Sequence, residues 1–128
     1  MYLDGENLEI GEIVISDSNE NFNKVSIYSK DHTYKLTFWT RQEYKKFNEL
    51  ELNRKTDIMN YIDDYDIDFC TDEYGTINSR NNTDIYFTRI DINKYILNVE
   101  INDFDNCVIG NMKNHKTLKL ETIIDFNM

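Results

Sequence analysis

The feature that most constrains this chain is a period-two alternation. Tyr95, Leu97, Val99 and Ile101 take every second position, with polar residues between most of them. Successive side chains of a strand point to opposite faces, so such a run buries one face and wets the other. A helix would need apolar residues at intervals of three and four. The same alternation appears at Ile67 and Phe69, at Ile85 and Phe87, and at Leu118, Leu120, Thr122 and Ile124. Cys107-Val108-Ile109 reads as a shorter strand.

The first third of the chain follows the same pattern. Leu8 and Ile10 share one parity, Ile13 and Ile15 the other, and Gly11 lies at the switch. A parity switch at glycine predicts a β-bulge. Asp17-Ser18-Asn19-Glu20-Asn21 is a polar turn, Val25 and Ile27 mark a second strand, Lys30-Asp31-His32 turns the chain, and Tyr34, Leu36 and Phe38 mark a third. These make a three-stranded meander.

Between the strand-rich regions stands a helix signal. Thr40-Arg41-Gln42-Glu43 has the form of a capping box, with Trp39 and Tyr44 placed as a hydrophobic staple. Tyr44, Phe47 and Leu50 follow, so a helix is predicted from residue 41. Thr56-Asp57 either caps a second short helix carrying Ile58, Ile62 and Tyr65, or that stretch continues the first. The predicted fold class is therefore α+β with a mainly antiparallel sheet. It has an N-terminal three-stranded meander, a central helix or two short helices, and C-terminal strands. A chain of 128 residues without a Pro-, Gly- or Ser-rich linker is predicted to form a single domain over 1–128.

Charge is the other strong signal. The formal net charge is −10, and residues 49–75 hold nine acidic and two basic side chains, a net of −7. Tyrosines are interleaved with these acids. Aromatic anchors supply binding energy while charges steer encounter, so this segment is the candidate partner-binding surface. Its residues are Asp57, Tyr61, Asp63, Asp64, Tyr65, Asp66, Asp68, Asp72, Glu73 and Tyr74. The plain alternative is a solvated acidic face.

Several chemistries find no support in the residues. No GxSxG, HExxH, GxGxxG or GxxxxGK[ST] occurs, so no catalytic residue and no cofactor are assigned. An EF-hand alignment on Gly75 puts Cys70 at the first ligand position and Asn81 where a bidentate Glu belongs. No metal site is assigned either. Cys70 and Cys107 are far apart and read as reduced thiols, and His32 and His115 read as exposed turn residues. A strongly acidic chain lacks the basic footprint that nucleic acid requires. No apolar run approaches the ~18 residues of a membrane-spanning helix. Met1-Tyr2-Leu3-Asp4-Gly5-Glu6 has no signal-peptide pattern, which places the expected location in the cytoplasm. Pro and Ala are absent while Asn, Ile, Lys, Asp and Tyr abound, the usage of an A+T-rich bacterial or phage gene.

These features predict an acidic intracellular inhibitor that binds a basic protein partner. The leading expectation is an immunity protein neutralising a nuclease-type toxin. The alternatives are a phage or mobile-element anti-defence protein, a ligand-binding or enzymatic domain with dispersed carboxylates, and a structural assembly subunit.

Overall fold

The computed structural model describes residues 1–19, 22–40, 44–71, 77–78, 83–108 and 111–126. The strands are β1 (Tyr2–Leu3), β2 (Glu6–Asn7), β3 (Ile10–Asn19), β4 (Phe22–Ser29), β5 (Tyr34–Thr40), β6 (Lys55–Asp57), β7 (Ile62–Thr71), β8 (Ile77–Asn78), β9 (Thr83–Asp91), β10 (Lys94–Val108) and β11 (Asn111–Asp125). They form two antiparallel sheets. Sheet A has the order β2-β1-β11-β10-β9-β6, and sheet B has the order β3-β4-β5-β7-β8.

The predicted meander is present as β3-β4-β5, and its register shifts between Ile10 and Ile13, where the parity switch placed a bulge. Gly11 is required there, because a Cβ would lie 2.7 Å from the Cα of Lys30. The Lys30-Asp31-His32 turn is also present. Asp31 accepts from the Ser29 hydroxyl at 2.8 Å and from the Thr33 amide at 3.0 Å, and His32 has a φ of 59°. The amide of Thr33, followed by the hydroxyl of Ser29, holds the Asp31 carboxyl below its ordinary pKa. His32 is exposed as expected, stacked on Tyr28 at 4.9 Å. His115, by contrast, sits in β11 opposite Phe104 and not in a turn.

The α+β class is overturned. Among the described residues the only helical pieces are two 3-10 segments, Tyr44–Glu49 and Met59–Tyr61. The expected helix from residue 41 misjudged a period. Tyr44, Phe47 and Leu50 recur every three residues, which is the repeat of a 3-10 helix, and the Leu50 amide donates to the Phe47 carbonyl at 3.2 Å. Thr40 closes β5, opposite Asn23, and the rest of the capping box lies outside the described residues. Trp39 lies in β5 with the Lys24 ammonium 5.2 Å from its ring. Asp57 does cap a turn, accepting from the Met59 amide at 2.8 Å, but that turn is over at Tyr61. Ile62 and Tyr65 belong to β7. Strand pairing with β5, from Thr40↔Ile62 to Tyr34↔Thr71, satisfies the backbone of this stretch in place of helical bonds.

The two sheets enclose one apolar core. Val25, Ile27, Leu36 and Phe38 enter it from sheet B, and Ile85, Phe87, Tyr95, Leu97, Ile101, Leu118 and Ile124 from sheet A, all at 0 % exposure. Burying each such side chain stabilises the fold by about 1.5–3 kcal/mol before the entropy of ordering is subtracted. Phe47 joins from the first 3-10 segment, so a short helical piece acts as a plug between strands. β9 pairs with β10 only over residues 94–101; β10 runs on beside β11 and also passes close to β7 and β8.

Candidate protein-binding face

The structure divides the acidic segment. Asp57 lies in β6 at the edge of sheet A, whereas Asp63, Asp64, Tyr65, Asp66 and Asp68 lie along β7 inside sheet B. Asp68 is opposite Thr37 in the ladder. Tyr61 is half-buried, edge-on to Phe47 at 5.8 Å, and so serves the core. Asp72, Glu73 and Tyr74 lie outside the described residues. The seven described residues are thus spread over two sheets and the 3-10 segment between them.

A second arrangement was not foreseen. The register of sheet A sets its outward positions in rows across the strands. One row runs Tyr2–Lys119–Glu100–Asp84, and the next Glu121–Asn98–Tyr86–Asp57. The row beyond places Ile123 beside Ile96. The inward residues between them, Leu97, Val99, Ile85 and Phe87, fill the core, so the strands have no freedom to turn these outward residues in.

These rows line an open groove of about 450 Å³. Tyr2, Tyr86, Asn98, Glu100 and Glu121 line it, with Lys55 and Lys119 among them. Tyr2 and Ile123 are each 52 % exposed, large apolar surfaces that the core does not use. The Lys55 ammonium lies 4.7 Å from the Tyr86 ring centre, a cation–π contact. Carboxylates surround Tyr86. Asp84, then partial burial, then Asp57 and Glu100 push its hydroxyl above the ordinary pKa. Tyr2 on β1 and Tyr86 on β9 thus flank the charged residues Lys119, Glu121 and Glu100 of β11 and β10.

Of the expected site residues that are described, only Asp57 belongs to this face. Tyr2, Tyr86, Asp84, Glu100 and Glu121 were missed, although alternation along β9 and β10 does reveal which of their residues point outward. The pairing of β1 with β11 and of β6 with β9 has no local signal. Among the described residues no group of three or more His, Cys, Asp or Glu is placed to hold a metal ion. No helix among them is long and apolar enough to cross a membrane. Asp17, Ser18 and Asn19 of the expected polar turn belong instead to β3, which pairs with β4 as far as Asn19↔Phe22, while Glu20, Asn21 and the Cys70 and Cys107 thiols lie outside what is described. No known protein family, curated protein or solved structure matches the chain.

Proposed function

We propose that this chain is a binding protein that captures a basic protein partner, in the manner of an immunity protein that neutralises a nuclease-type toxin. The observation that carries this reading is the pair of tyrosines, Tyr2 and Tyr86, set among Asp57, Asp84, Glu100 and Glu121 on the outer face of sheet A. Lys55 and Lys119 stand within the same face and reduce its local charge, but the chain as a whole carries −10. Its field accelerates encounter with a cationic surface, and the tyrosines and Ile123 then provide contact area. The Lys55 ammonium over the Tyr86 ring supports the reading, since a lysine or arginine of a partner can make the same kind of cation–π contact with an exposed tyrosine.

The test uses purified chain and a basic partner co-purified with it at low salt. Binding is measured by calorimetry for Tyr86→Ala combined with Asp84→Asn and Glu100→Gln. Affinity is expected to fall about tenfold or more, with a flatter salt dependence. A parallel variant neutralises Asp63, Asp64, Asp66 and Asp68 and asks whether β7 contributes. If both variants bind as tightly as the parent, or if no basic protein is retained, the proposal fails.

A further inference from the structure

Sheets invite extension at their edges, and proteins blunt edges with short strands, bulges, charge or proline. The edge strands here are β2 and β6 in sheet A, and β3 and β8 in sheet B. β2 and β8 have two residues each and β6 has three. β3 has ten. Beyond its bulge it runs in unbroken antiparallel register with β4 from Ile13 to Asp17. Among the described residues nothing pairs with its other side. The stretch Ile13-Val14-Ile15-Ser16 carries no charge. Ile13 and Ile15 pack against the core, while Val14 is 38 % exposed on the opposite face. Half of the N–H and C=O groups of such a strand point to its open side.

We infer that β3 is the seam of a homodimer, pairing antiparallel with β3 of a second copy about a two-fold axis at Val14. That register sets Ile13 opposite Ile15 and Val14 opposite Val14, in the regular part of the strand beyond the bulge. No like charges stand directly across, and β-branched residues pair in the middle. The two five-stranded sheets become one continuous sheet. Both copies use the same edge, so this contact closes at two. A charge of −10 on each copy opposes association, and salt screens that repulsion. Dimerisation therefore strengthens with salt, whereas capture of a basic partner weakens. The two proposals stand or fall separately.

The test is sedimentation of the full chain at several concentrations, from about 0.05 to about 1 M NaCl. The expected species has twice the 15.4 kDa chain mass, with a dimer fraction that rises with salt. Val14→Lys sets two ammonium groups across the axis and is expected to give monomer with an unchanged circular-dichroism spectrum. Val14→Cys is expected to cross-link on oxidation, since cross-strand Cα separations of about 4.5–5.5 Å suit a disulfide. Peptide mass mapping should join residue 14 of both copies. A chain that stays at 15.4 kDa throughout overturns the inference. So does failure of Val14→Cys to cross-link through residue 14, which also decides the matter if Val14→Lys does not fold.

Discussion

Phe87→Ala is expected to lower the unfolding free energy by about 3–5 kcal/mol, read as a fall in the urea midpoint with little change in slope. Phe87 is fully buried at the point where sheet A meets the 3-10 plug. Its ring lies 4.8 Å from that of Phe47 at 68°, 5.1 Å from Tyr95 and 6.4 Å from Phe126. Truncation removes the buried area, leaves a cavity among rings too large to collapse into it, and breaks the edge-to-face contact with Phe47, worth about 0.5–1.5 kcal/mol. Domains of this size have total stabilities of about 5–15 kcal/mol, so the loss is a large share of the whole. Glu100→Gln, an exposed position on the neighbouring strand, should shift stability by no more than about 0.5 kcal/mol. A cost below about 1 kcal/mol for Phe87→Ala would mean that Phe87 does not join these rings in one core.

Asn48→Ala is expected to cost about 2–3 kcal/mol, a large effect for a side chain that is only half-buried. Its Oδ1 accepts from the Tyr95 hydroxyl at 2.7 Å and from the Asn93 amide at 2.8 Å. Asn93 sits in the turn between β9 and β10 with a φ of 59°, a conformation for which a side-chain bond compensates. Removing Asn48 leaves the hydroxyl of a fully buried tyrosine without its acceptor and releases the 3-10 segment from the turn. Tyr95→Phe removes the hydroxyl as well, so the double variant should cost less than the sum of the two singles. Titration gives a second readout. Burial pushes the Tyr95 hydroxyl up to about 12, with Arg89 pulling weakly the other way. The ordinary tyrosine value is about 10, so the stabilisation from keeping Tyr95 protonated is complete below about pH 10. It is lost as pH rises from there through about 12. Urea unfolding across that window should fall more steeply for the parent than for Tyr95→Phe. Parallel curves would remove Tyr95 from the core.

How far the sequence spoke for itself depended on the range of the interaction involved. The meander, the bulge at Gly11 and the long strand through Tyr95, Leu97, Val99 and Ile101 were all legible. Each is written in a period or a glycine within a few residues. The helix was misjudged on the same local evidence. A spacing of three at Tyr44, Phe47 and Leu50 fits both helix types over so short a run, and the six-residue length was set by what Phe47 and Asn48 reach in the core and the turn. Ile58, Ile62 and Tyr65 also carry a helical spacing, but pairing of β7 with β5 took the last two into a strand.

The sequence by itself determined which residues alternate, that one face of each strand must be buried, and that most of the excess negative charge lies in residues 49–75. Only the tertiary structure decided where those charges go. It placed Asp57 on sheet A beside Tyr86 and the acids of β7 in the other sheet. It also brought Tyr2 and Tyr86 to one groove across β11, β10 and β9. The reason is physical. Alternation is a property of one strand, whereas partner and register are chosen by non-local burial and by ladders that close over long loops.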